Sequence, residues 1–443
     1  MKKEIIIIGG GAAGMVAAIS AARNGAKVTI LEHKEKLGKK ILATGNGKCN
    51  YTNLHQTIDC YRSENIPFVE EVFSHFNEKD TIDFFKELGI YPKSRNGYMY
   101  PNSEQASSIV DVLVMELKHL QVEVRCNEEV KKIKPIEDGY QIDTIVTVTE
   151  PKKSKDKNSK NPAKNKSEKR VAVETYPSSY LAKKVIIAAG GMASSKLGSD
   201  GSGYYLLKQL GHTIIPVVPA LVQLKAEGDF FEIISGVRCD VALQIFIDGN
   251  KIASEEGELQ LTNYGISGIP VFQISRFAGK ALLEKKKVDV LIDFLPQMTT
   301  SEVKELLRQR ISNSKYKTPE EALIGLLNQK LIQMLMTQLD KQHKDRSDIN
   351  ILTQLIKEFS VKIIDTNSFD NAQICAGGVD TTEIAGYRLE SKLHKGLYVV
   401  GELLDVDGIC GGYNLQWAWA TGYLAGEAAS CKTLQHVDSH TTH

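Results

Sequence analysis

The run EIIII at residues 4–8 breaks into GGGAAG at 9–14, and no other feature restricts the fold of this chain as tightly. Four consecutive isoleucines fit a strand buried on both faces of a parallel sheet. MVAAISAARNG (15–25) then reads as a helix ending in glycine, and VTILEH (28–33) as a second apolar strand closing on Glu32 and His33. A lone G-x-G-x-x-G is a weak signal. Strand, glycines, helix, strand and acid in one register form a Rossmann-type unit for an adenine dinucleotide. Gly9 serves the tight turn, Gly11 lets the backbone approach a pyrophosphate, and Gly14 lets helix and strand pack closely. Ala12 and Ala13 open the helix, whose free N–H groups and partial positive charge face that pyrophosphate. Glu32 is placed to accept ribose hydroxyls, with His33 beside it.

The chain then departs from the pattern of an NAD dehydrogenase, which runs directly into further βα units. Instead LATGNGKCNYTN (42–53) offers glycines and amide side chains with almost nothing to bury. FAD is longer and lies extended, so the segment after the second strand has to follow it toward the flavin. Gly45 and Gly47 allow close backbone approach. Thr44, Asn46 and Asn50 supply hydrogen bonds, Cys49 lies among them, and Lys40 offsets phosphate charge. The competing reading is a polar surface turn.

At 443 residues, 42% apolar and 25% charged, the chain has room for two or three domains. A net charge of +1 provides no global field for nucleic acid or anionic membrane. Seven scattered cysteines without a CxxC suit a reducing, cytoplasmic setting and indicate no metal site. The apolar run after MKKE is too short for a signal peptide, and nothing approaches the roughly 18 apolar residues of a membrane span.

Residues 68–92 read as two amphipathic helices, 106–120 as another, and a parallel strand is expected to end near Val130. PKKSKDKNSKNPAKNKSEKR (151–170) holds nine basic and two acidic residues and reads as a disordered hairpin extension rather than a nucleic-acid tether. VIIAAGG (185–191) is a buried strand whose Ala189 and Gly190 pass the dinucleotide. GSDGSGYY (198–205) lacks the phasing of a second nucleotide domain. From Ile214 the texture becomes antiparallel and barrel-like, with a hairpin at IDGNK (247–251). A helix begins at Thr318 with a capping box to Glu321. GLYVVGE (396–402) is a strand ending at Gly401 and Glu402, and Gly412 precedes the helix NLQWAWATGYLAGEAA. Its first N–H groups, at Asn414 and Leu415, are expected at the flavin, with Trp417 and Trp419 as packing aromatics. Cys49 and Cys410 both lie in cofactor-adjacent motifs, but without the CxxxxC of a redox pair they are expected to pack.

The stretches IIIIGGGAAGMVAA, LGKKILATGNGKCNYTN, YMYPNSEQASSIVDVL, VIIAAGG with GSDGSGY, GELQLTNYGISGIP and GELLDVDGICGGYNLQWAWATG run in order from Ile5 to Gly422. In these the chain resembles the YhiN/BaiN-type NAD(P)/FAD-dependent oxidoreductases, which include aminoacetone-oxidase-like proteins. The resemblance implies an α/β fold: a discontinuous Rossmann-type FAD-binding domain (1–213 and 372–443), an inserted antiparallel β-barrel-like domain (214–298), and a small helical subdomain with a return segment (299–371). It implies FAD contacts at the first glycines, Glu32, Lys40, the 44–50 loop, the Val130 backbone and Asn414–Leu415. The family's T-H-x-G-x-S-G-P is here Thr262-Asn263-Tyr264-Gly265-Ile266-Ser267-Gly268-Ile269, so no histidine role transfers. The implied reaction is NAD(P)H-dependent reduction of a conjugated double bond in a small apolar enone, as for 3-oxo-Δ4,6 bile acids, with NADH or NADPH visiting transiently. Tyr264, Ser267 and Tyr413 are the candidate donors near the ketone. An O₂-using amine oxidase is the alternative. Neither a nucleic-acid nor a membrane partner is expected, and oligomeric state is left open.

Overall fold

The computed structural model describes residues 3–151, 170–312 and 316–431. The chain forms two compact units. One comprises the residues up to Gly191, Ser195–Ile215 and those from Gly377 onward; the other comprises Met192–Ser194 and Pro216–Ala376.

The first unit is built on a parallel sheet into which both chain ends are woven. Lys3–Ile8 pairs with Val28–Glu32 on one side and with the end of Arg170–Ile187 on the other. Leu397–Val399 lies beside Val185–Ile187, and Glu123–Cys126 beside Val28–Glu32. All four isoleucines of the opening run are buried, as a two-faced strand requires. The expected parallel strand stops at Cys126 rather than near Val130. Asn127 turns the chain with φ of 57°, a left-handed conformation that asparagine tolerates. Val130 therefore belongs to the next strand, Glu128–Ile136, antiparallel to Gly139–Pro151. That strand in turn pairs with Arg170–Ile187 as far as Pro151 opposite Arg170. The Lys-rich extension expected between them falls, for 152–169, outside the described residues.

Over the sheet, the helix Ala12–Arg23 meets the carboxy-terminal helix Tyr413–Ser430 backbone to backbone. A Cβ at Gly422 would lie 2.3 Å from the Ala13 carbonyl oxygen, and one at Gly426 2.3 Å from that of Ala17. The Trp417 and Trp419 side chains are buried among aromatic rings, Phe68 and Phe73 for the first and Phe85 for the second. Their indole N–H groups donate to the carbonyls of Gly401 at 3.1 Å and Tyr51 at 2.8 Å. They are core residues.

In the second unit six strands close a barrel in the order Leu224–Ala226, Gly265–Ser267, Asn250–Thr262, Arg238–Ile247, Val288–Asp293, Phe359–Thr366. Val241, Leu243, Ile245, Val290, Ile292 and Val361 fill its core. The hairpin read at IDGNK turns through Asp248 and Gly249, both with positive φ. The capping box at Thr318 and Glu321 is present, but the helix it starts stops at Ala322. Gly325 is left-handed, and a new helix, Gln329–Lys341, starts under an Asn328 cap. Met334 and Leu335 of that helix are core residues.

Gly426→Ala separates two effects of opposite sign. Helix propensity alone stabilises by up to about 1 kcal/mol, whereas the contact with Ala17 destabilises by about 1–3 kcal/mol. The expected result is a lower urea midpoint at unchanged m-value.

Candidate dinucleotide site

The glycine turn is shaped by what surrounds each residue. A Cβ on Gly14 would lie 1.9 Å from the Gly9 carbonyl oxygen, so helix and strand pack at a distance only glycine permits. A Cβ on Gly11 would meet nothing within 4 Å. Gly11 is also the N-cap of the first helix and makes no side-chain capping bond. The positive helix end thus opens, beside Ala12 and Ala13, on space that no neighbouring atom fills within 4 Å of a Gly11 Cβ. Glu32, buried at the strand end, accepts from the Gly10 N–H at 2.7 Å through Oε2 and from the Lys34 N–H at 2.7 Å through Oε1. The carboxylate is held rigidly and each oxygen keeps a lone pair. His33 Nε2 is buried without a hydrogen-bond partner.

The second half of the site is the 44–50 loop. Gly45, Asn46, Gly47 and Cys49 all have positive φ, which accounts for the permissive residues in this stretch. Thr44 donates its hydroxyl to the Ile41 carbonyl at 2.6 Å. Lys40 Nζ lies 2.7 Å from Glu402 Oε2, so these two predicted cofactor residues pair with each other. Asn50 is 9% exposed, and its Oδ1 has no partner. This loop meets the turn before the last helix: Asn53 Nδ2 donates to the Gly411 carbonyl at 3.0 Å. A Cβ at Gly412 would be 2.9 Å from both Asn50 Oδ1 and the Thr52 carbonyl oxygen.

Gly412, with φ of 93°, starts the carboxy-terminal helix without a side-chain cap. The Asn414 side chain accepts from the Gly408 N–H at 2.8 Å and donates to its carbonyl at 2.9 Å, which pins the loop before the helix. The two glycine contacts make the first and last helices parallel. Ala13 is the second residue of its helix and Gly422 the tenth of its own. The last helix therefore starts about eight residues, roughly 12 Å, before the level of the first. Two positive helix ends staggered in this way suit a ligand with a diphosphate at one point and an electron-accepting ring further along.

The remaining predicted residues fall as follows. Ala189 and Gly190 follow the strand, which ends at Ile187, and pass beside the glycine turn; a Cβ on Gly190 would lie 2.8 Å from Ser199 Oγ. Gly401 accepts the Trp417 indole and donates its N–H to Thr421 Oγ1 at 3.0 Å. Val130 is buried, paired with Thr144. Tyr413 is buried in the dinucleotide unit and donates its hydroxyl to the His55 carbonyl at 2.9 Å, while burial and the neighbouring Cys60 raise its phenol. Tyr264 and Ser267 belong to the barrel unit. Tyr264 is 38% exposed in the turn between two strands, and Ser267 is buried. One residue escaped the sequence reading: Gln416, wholly buried in the last helix. A lone amide within the apolar stretch LQWAWA is the signal for it. Among the described residues no group of three or more His, Cys, Asp or Glu could hold a metal ion, and no helix is long and apolar enough to cross a membrane.

With that geometry in hand, comparison with known proteins is informative. A family model described as HI0933-like protein Rossmann domain matches residues 3–428. The chain is 45% identical to a Clostridium scindens protein named 3-dehydro-bile acid delta(4,6)-reductase, over 96% of this chain and 99% of that one. It is 30% identical to a Haemophilus influenzae protein named ribosomal RNA dihydrouridine synthase, over 95% and 96% of the two chains. An Escherichia coli protein of the same name is 27% identical over 96% and 97%.

The cysteines supply a test of the site. Burial pushes the Cys49 thiol up to about 12 and the Cys410 thiol up to about 11. At pH 8 a group at 12 is thiolate in roughly one molecule in ten thousand. Ellman's reagent at pH 8 is expected to label exposed Cys431 and leave Cys49 intact in the native protein, as read by peptide mass mapping, and Cys49→Ser is expected to keep its cofactor.

Proposed function

The chain belongs to the HI0933-like family of Rossmann-domain flavoproteins, and from that premise we propose that it is an FAD-dependent reductase, recharged by NADH or NADPH, that saturates a carbon–carbon double bond conjugated to a ketone in a small apolar, steroid-like substrate. The observation that carries this reading is 45% identity across 96% of the chain to a 3-dehydro-bile acid reductase. The fit of the site supports the cofactor: an open cradle at Gly11, a braced carboxylate at Glu32, and unpaired buried amide atoms on Asn50 and Gln416.

When bound, reduced FAD supplies a hydride to the carbon β to the ketone. The chain's own part is to bind and to orient. The N–H groups after Gly11 hold the pyrophosphate, Glu32 takes ribose hydroxyls, and the 44–50 backbone lines the path to the ring. The start of the carboxy-terminal helix favours negative charge at its end. Enolate formation in the substrate calls for a donor at the ketone oxygen. Of the three candidates, Tyr413 already has its proton engaged with the His55 carbonyl.

A second reading rests on the two dihydrouridine synthase relatives. The uracil C5=C6 bond is conjugated to a carbonyl, so the acceptor chemistry is the same with RNA as its carrier. One feature favours it: Lys48, Lys93 and Arg95 gather around the single carboxylate of Glu104, next to the 44–50 loop. Such a cationic rim suits phosphate.

Anaerobic mixing with NADH or NADPH is expected to bleach the flavin, and a 3-oxo-Δ4,6 steroid acid to restore its colour. Colour restored by a uridine-containing ribosomal RNA fragment but not by the steroid selects the second reading; bleaching only by an amine, with recovery in O₂, selects the oxidase and overturns both. Glu32→Ala is expected to weaken FAD binding to the apoprotein by about tenfold or more.

A further inference from the structure

Three amide side chains in the dinucleotide unit, Asn50, Gln56 and Gln416, each keep one buried atom without a hydrogen-bond partner, and two of them lie near the start of the carboxy-terminal helix. Gln416 sits one turn into the carboxy-terminal helix, its N–H donating to the Gly412 carbonyl at 3.0 Å. The side chain is 0% exposed; Oε1 accepts from the Thr52 hydroxyl at 2.7 Å, and Nε2 has no partner. Asn50 lies on the facing loop with Oδ1 equally unpaired, 2.9 Å from where a Cβ on Gly412 would be. A buried amide left unpaired costs free energy, so such groups are normally satisfied by protein, water or ligand. Here an acceptor is left open beside the start of the helix and a donor one turn into it, and the absence of a side chain at Gly412 leaves Asn50 Oδ1 the room a Cβ would take.

We infer that Asn50 and Gln416 read the pyrimidine edge of the flavin, an assignment that rests on the FAD reading above. That edge alternates acceptor, donor and acceptor in its two carbonyls and the N3–H between them. It can take up one protein acceptor and one protein donor, the two kinds of group that Asn50 and Gln416 leave open. Adenine also sets a donor beside an acceptor, but the glycine turn and Glu32 assign it to the other helix end, and a phosphate has acceptors only, which would leave Asn50 Oδ1 unsatisfied. Thr52 is the positioning residue, because its hydroxyl holds Gln416 Oε1 and thereby turns Nε2 outward from that bond. A donor on a pyrimidine carbonyl also stabilises negative charge on the reduced ring, so Gln416 adds a side-chain contribution to that of the helix end.

The test uses the apoprotein reconstituted with FAD or with FAD methylated at N3. Wild type is expected to bind the methylated cofactor about tenfold or more weakly, because Asn50 Oδ1 loses its donor. Asn50→Leu is expected to abolish that discrimination. Gln416→Leu is expected to weaken FAD binding by about tenfold and to lower the flavin midpoint potential, with Gln416→Met as a second variant should the first fail to fold. A purely structural role, or a water filling the gap, would lower thermal stability without moving the cofactor ratio or the potential. Equal affinity of wild type for the two cofactors overturns the assignment, as does unchanged affinity and potential in both Gln416 variants. Failure to take up either flavin overturns the FAD reading itself, and this inference with it.

Discussion

The direct backbone contact between the first and last helices is the constraint on which the dinucleotide site depends. Ala13 and Ala17 on one helix face Gly422 and Gly426 on the other, and any larger residue at the glycines would part them. The contact does more than hold the chain ends together. By making the helices parallel and staggered, it sets two positive ends at different levels of the same unit. It also brings the Gly411–Gly412 turn against Asn50, Thr52 and Asn53, so that a loop read near residue 45 and a helix read near residue 414 become one site.

Electrostatically the site relies on dipoles more than on free charges. Lys40 is matched by Glu402, Lys48 inside the 44–50 loop by Glu104, and Glu32 is held by two main-chain N–H groups. The positive field at the glycine turn comes from helix amides, which cannot move away when a ligand leaves. The thiols follow the same logic. With burial raising Cys49 and Cys410, neither presents a ready thiolate.

The places where the structure departs from the sequence reading share a cause. The parallel strand ends at Cys126 because Asn127 adopts a left-handed turn, which a stretch of alternating residues does not announce. The helix capped by Thr318 ends at Ala322 although its apolar spacing continues, since Gly325 and the Asn328 cap restart it. Lys40, read as offsetting phosphate charge, also meets an acid 362 residues away, a pairing that the local sequence does not announce. Each depends on a local turn or a distant partner that outweighs periodicity.

Local sterics and periodicity are written in adjacent residues, and what rests on them was legible from the chain alone. This covers the glycine turn with its strand and helix, the Glu32 position, the Asp248–Gly249 hairpin, the capping box and the core placement of the tryptophans. Pairing between distant segments is not written locally, so the tertiary structure alone decided the rest. Phe359–Thr366 closes the barrel only because it pairs with Leu224–Ala226 and Val288–Asp293. Gln416 acquires a meaning beyond helix packing only because Thr52, far away in the chain, occupies one end of its amide and leaves the other end open.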